Sequence, residues 1–115
     1  MAKPMPPGRK VAFYAPLRAP DHPAPSGERQ MARLLMAALA RAGYEVSLAS
    51  DLRTYLRDPG DHTKHAALIA AADHERHRIV QEWRNHGPPD LWMSYHPYYK
   101  SPDLLGPTLC IAHKV

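Results

Sequence analysis

The chain has 115 residues, 44% of them hydrophobic and 23% charged, with a formal net charge of +4. That length makes one domain with a modest core, and that balance excludes a disordered or membrane-dominated chain. No apolar run nears the roughly 18 residues a spanning helix needs, and the 15 Lys and Arg residues are scattered among 11 acids rather than gathered into the stripe that nucleic-acid binding requires.

Residues 1–9, basic and proline-rich, read as a flexible tail ahead of a single domain over residues 10–115. Val11-Ala12-Phe13-Tyr14-Ala15 is a short apolar run between Arg9-Lys10 and Pro16, the pattern of a strand buried on both faces. Pro16 to Pro25 cannot continue it, because proline lacks the ladder donor and restricts its neighbour. Met31, Leu34, Leu35, Ala38, Leu39 and Ala42 then recur at helical spacing, which predicts an amphipathic helix facing the core along that stripe. Gly43 stops it. Tyr44 to Ala49 alternates as a second strand, and Ser50 and Asp51 end it.

Asp58-Pro59-Gly60-Asp61 is turn chemistry, after which a second helix is expected from about Lys64 to His86, with Leu68, Ile69, Ala72, Ile79, Val80 and Trp83 on its apolar side. Arg78 and Glu82 add an i,i+4 pair. Gly87-Pro88-Pro89 ends that helix, and Asp90 to Tyr95 predicts a third buried strand. A last helix starts near Pro107, whose missing donor is harmless in a first turn.

Strand, helix, strand, helix, strand, helix, with apolar strands, implies α/β: a Rossmann-like parallel sheet with flanking helices. A Rossmann-type order sets the first strand beside the second and leaves its other flank waiting for a fourth strand. The expectation is therefore an unpaired apolar edge on the first strand and self-association through it.

Ligands of open parallel sheets bind beyond the carboxyl ends of the strands, so the loops after the strands carry the chemistry. Proline narrows the conformations of the first loop and holds the Ser26-Gly27 turn near one geometry. Two roles are open to that turn. It caps the helix, or it brings backbone N–H groups to an anion such as phosphate. A dinucleotide fingerprint is excluded, since the loop has a single glycine set far from the strand, and no Gly-Lys-Ser/Thr loop occurs. Past the third strand, His96 is grouped with Tyr95, Tyr98, Tyr99 and Lys100, a mixture of hydrogen-bonding groups and flat aromatic faces suited to a sugar.

GERQMARLLMAALARAGYEVSLAS, with PDLWMSYHPYYKSPDLLGP after a helical spacer, resembles the N-terminal domain of GT-B fold retaining glycosyltransferases of the group 1 (family 4) kind. Arg29, Leu34, Ala37 or Ala38, Leu39 and Gly43 carry the helix motif, and the likeness spans nearly the whole chain from Lys10. The resemblance implies the first β-α-β-α-β-α half of such a domain: the acceptor side of an enzyme moving a sugar from a nucleotide-sugar to a carbohydrate or lipid-linked acceptor, with no obligatory metal. By position it assigns Ser26, Gly27, Glu28 and Arg29 to the donor-phosphate loop, Tyr98, Tyr99 and Lys100 to sugar binding, and His96 to a hydroxyl at the reacting sugar. Two departures stand out. Relatives often carry Gly-Gly where this chain has Ser26-Gly27, and the C-terminal domain holding most of the donor is missing, so the fragment alone is expected to be inactive. The alternative reading is a non-catalytic nucleotide- or phosphate-binding α/β module.

His62 and His65, and again His74 and His77, are spaced three apart, but zinc needs three or four convergent ligands, and solvated helix surface is the better reading. Asp21, Glu28 and Asp51 are candidates for paired hydrolytic carboxylates by location only. Cys110, the single cysteine, forms no internal disulfide and reads as a small buried hydrophobe in a reducing interior. Val11 to Leu17 is too short and too proline-broken for a secretory signal. A cytoplasmic location is expected, with a basic surface suited to the inner face of a membrane bearing anionic lipid.

Overall fold

Val11, Ala12, Phe13 and Tyr14 are between 0% and 3% exposed, and so much burial puts their strand in the middle of the sheet. The structure, a computed structural model, describes residues 9–19, 22–23 and 26–115; the tail over 1–8 and Pro20, Asp21, Ala24 and Pro25 of the first loop lie outside the described residues. β1 (Lys10–Tyr14) pairs in parallel with β2 (Glu45–Ser50) on one flank and with β3 (Leu91–Ser94) on the other, giving a three-stranded sheet in the order β2-β1-β3.

This corrects one expectation. β1 has no unpaired edge, because β3 occupies the flank assigned to a fourth strand, and any association through a sheet edge would have to use β2 or β3. The physical reason is burial. β1 is buried at every residue after Lys10, whereas β2 alternates and β3 is half-buried, and the most completely buried strand belongs where both faces and both edges are covered.

α1 (Gly27–Arg41) covers one face of the sheet; α2 (His62–His86) and α3 (Gly106–His113) cover the other. Travel from β1 to β2 and travel from β2 back across β1 to β3 run in opposite directions, so crossovers of one hand place α1 and α2 on opposite faces. Along β1 the side chains divide accordingly. Phe13 and Ala15 pack with Ala32 of α1, and Tyr14 packs with Ala72, Ile79, Leu105 and Leu109 of the opposite layer.

The inward face of α1 differs from the expected stripe. Ala32 is fully buried with Leu35, Met36 and Leu39 against the sheet, while Met31 and Leu34 are 45% and 53% exposed. Apolar residues cover so much of this helix that periodicity leaves its rotation open, and it is Ala32 that packs fully buried with Phe13 and Ala15. Gly43, with φ +102°, and Gly87, with φ +84°, end the two longer helices in backbone conformations that favour glycine.

In the segment after β2 the sequence pattern marks only the turn at residues 58–61. It crosses the carboxyl ends of β1 and β3. Thr54 N donates to Pro16 O at 2.9 Å, Leu56 N to Lys100 O at 2.8 Å and Arg53 Nε to Leu17 O at 2.9 Å. Thr54, fully buried, donates its hydroxyl to Pro102 O at 2.7 Å. The loops after all three strands are thus tied into one rim.

Candidate functional site

The chain leaves β1 toward one face of the sheet and leaves adjacent β3 toward the other. The connections therefore diverge between the two strand ends, the topological crevice at which parallel sheets take their ligands. α1 supplies one wall and the loop Tyr95 to Leu105 the other.

Ser26, extended at φ −161°, caps α1 by accepting from Arg29 N at 3.1 Å. Its hydroxyl is thereby engaged in the cap. A Cβ on Gly27 would meet nothing within 4 Å, so packing does not demand glycine at this turn. The Arg29 guanidinium donates through Nη1 to His22 O at 2.9 Å, while its Nε is buried with no partner among the described residues. Glu28, in the first turn of α1, reaches the other wall, where its Oε2 lies 2.9 Å from His96 Nδ1. Residues 68 apart in sequence thus meet across the crevice.

His96 has φ +55°, a left-handed conformation that a side chain with a Cβ adopts at a cost of about 1 kcal/mol. Pro97 follows it and disfavours the right-handed helical alternative. The turn beyond is closed by Tyr98 N to Ser101 O at 3.2 Å and Ser101 N to Tyr98 O at 2.8 Å. The His96 and Tyr98 rings stack at 6.1 Å, Tyr99 lies edge-on to Tyr98 at 5.6 Å, and Lys100 Nζ sits 5.8 Å from the Tyr99 ring centre. Tyr99 is 76% exposed, so the shelf is open to solvent. Burial first, and then the negative charge of nearby Glu28, raise the Tyr95 hydroxyl above its ordinary range.

Beneath the rim is a second polar group that the sequence reading missed. Asp103 Oδ1 accepts from Leu105 N at 2.9 Å and Gly106 N at 2.8 Å; Oδ2 accepts from Trp92 Nε1 at 2.9 Å and from the Ser94 hydroxyl. A Cβ on Gly106 would collide with the Trp92 indole nitrogen and lie 2.6 Å from Asp103 Oδ2, so here glycine is required by close approach. The signal available was Asp three residues ahead of Gly-Pro, a helix-start pattern. Tyr14 donates to Leu52 O at 2.7 Å, and burial first, then the nearby Asp103, Glu75 and Asp51, push its ionisation far above the ordinary tyrosine range. Burial likewise pushes the Cys110 thiol up, which favours the unreactive form.

Asp51 is exposed at the end of β2, and Asp21 lies outside the described residues. The structure does not bring Asp51 together with Glu28 in any described contact. Among the described residues no group of three or more His, Cys, Asp or Glu side chains converges as a metal site. His77 Nδ1 is 2.8 Å from Asp73 O within α2. Hollows open elsewhere on the molecule: one of about 360 Å³ at the amino end of the sheet beside Lys10, Glu45 and Trp83, and one of about 370 Å³ beside Ser50 and Glu75. Neither adjoins His96. The first is lined by strand starts, away from the loops that carry chemistry in parallel sheets, so its size does not outweigh the convergence at the crevice.

Comparison with protein-family models, with curated proteins and with solved structures returns no match. No helix among the described residues is long and apolar enough to cross a membrane.

Proposed function

We propose that this chain is the acceptor-side portion of a glycosyltransferase that moves a sugar from a nucleotide-sugar to a hydroxyl acceptor. The supporting observation is the 2.9 Å contact between Glu28 and His96, which joins the first-loop helix to the third-strand loop at the crevice between β1 and β3. Around it Tyr98 and Tyr99 offer aromatic faces for sugar rings, and Lys100 offers a donor beside them. Catalysis would draw on a second domain for the donor. At the start of α1 the Ser26 hydroxyl is engaged in the cap, and Arg29 is the group left there to meet donor phosphate.

The buried Arg29 Nε favours a second reading, a phosphate- or nucleotide-binding module. Chemical-shift mapping of the isotope-labelled chain separates the two. Neutral glycosides perturbing His96, Tyr98 and Tyr99, with the response lost in His96→Ala at unchanged melting temperature, support sugar transfer. Pyrophosphate perturbing the amides of Ser26 to Arg29, with no glycoside response at the rim, overturns it in favour of the module.

A further inference from the structure

Resting on that reading, we infer that Glu28 is a positioning residue that fixes the tautomer of His96, and that the rim thereby selects a neutral, hydroxyl-donating ligand instead of an anion. An ionised carboxylate accepts hydrogen bonds and donates none, so the nitrogen 2.9 Å from Glu28 Oε2 carries the proton. With Nδ1 protonated, neutral His96 keeps an unshared pair on Nε2. That nitrogen accepts from a sugar or polyol hydroxyl.

The same carboxylate argues against phosphate at this spot. Glu28 brings a negative charge to the first turn of α1 and the Ser26 hydroxyl already accepts there, so an anion approaching His96 meets like charge where an unoccupied helix start would attract it. Glu28 thus belongs with the sugar-binding groups of the opposite wall, and Arg29 is left as the cationic group at the helix start. The His96 and Glu28 side chains are 51% and 34% exposed, so solvent screens their pairing and the contact adds little to folding. What it does supply is orientation. The left-handed backbone of His96, next to Pro97, sets the ring toward α1 at a conformational cost that the tautomer-fixing contact explains.

The test is long-range proton–nitrogen NMR of the labelled chain, recorded at a pH where the spectrum itself reports a neutral His96 ring, comparing wild type with Glu28→Ala. Wild type is expected to show His96 protonated on Nδ1, and Glu28→Ala to move the proton toward Nε2, with folding checked by an unchanged melting curve. Affinity for a neutral methyl glycoside should fall by up to about tenfold, as for the loss of the one neutral hydrogen bond that Nε2 accepts from the sugar. An Nδ1 to Nε2 distribution identical in the two proteins overturns the inference, as does an unchanged glycoside affinity or tighter binding of pyrophosphate than of glycoside at His96. If no glycoside binds the wild type, the sugar-transfer reading fails, and the tautomer measurement alone still decides the role of Glu28.

Discussion

Two carboxylates serve the chain just beyond β3, and they do opposite things. Asp103 takes four donors on its two oxygens, and they come from β3, from its own loop and from the start of α3. Its hydrogen-bonding capacity is spent inside the protein. Glu28 holds His96 across an open crevice and keeps a third of its side chain in water. A polar group saturated by its own fold maintains structure, whereas one with capacity remaining at a strand-end crevice is available to a ligand. The left-handed His96 adds the same sign, since backbone strain is retained where the surrounding structure has a use for it.

That contrast is most directly broken at Asp103. Asp103→Ala leaves the Trp92 indole N–H and the first amides of α3 without their acceptor and should cost about 3 kcal/mol, read as a lower urea midpoint. A cost no larger than that of Glu28→Ala would erase the distinction. Gly106→Ala should follow at about 2 kcal/mol, because the new methyl group overlaps the Trp92 ring and the Asp103 carboxylate; a neutral result would show that α3 can shift freely. Tyr14→Phe should cost about 1 kcal/mol by leaving Leu52 O unpaired. It should also remove part of the alkaline sensitivity. The folded-state ionisation of Tyr14 is raised, so its contribution is complete below the ordinary tyrosine range and falls as pH climbs through that range. Alkaline titrations of both proteins that superimpose would refute this.

His96→Gly sharpens the comparison from the other side. Relief of the left-handed strain offsets the entropy added to the unfolded chain, so stability should stay within about 1 kcal/mol while glycoside binding disappears. The smallest expected effect is at Glu75. Hydrogen bonds from Arg78, outweighing burial and joined by the Ser50 hydroxyl, hold its carboxyl below the usual glutamate range. The stabilisation is complete above that range and is lost as pH falls through the folded-state value. Glu75→Gln should therefore lower the denaturation midpoint slightly at neutral pH and leave it unchanged in acid.

Much of the scaffold was legible beforehand because it depends on short-range pattern. The three apolar runs became strands, the helix over His62–His86 began within two residues of its expected start, and Gly43 and Gly87 ended the helices they were expected to end. The rotation of α1 was not legible, because Met31 and Leu34 are as apolar as Leu35 and Met36 and only packing against Phe13 and Ala15 chooses between them. The rim was half legible. His96 and its tyrosines announced themselves by composition, but nothing local relates Glu28 to His96, and Thr54 looks like any loop threonine until Pro102 accepts its hydroxyl.

The order and type of the elements, the parallel α/β class and the concentration of polar aromatic residues after β3 follow from the sequence alone, since hydrophobic period, proline and glycine act over a few neighbouring residues. The seat of β3 beside β1, the pairing of Glu28 with His96 and the saturation of Asp103 were decided only by the tertiary structure. Each joins segments distant in the chain, and which of several sterically permitted neighbours a segment meets is settled by burial summed over the whole molecule.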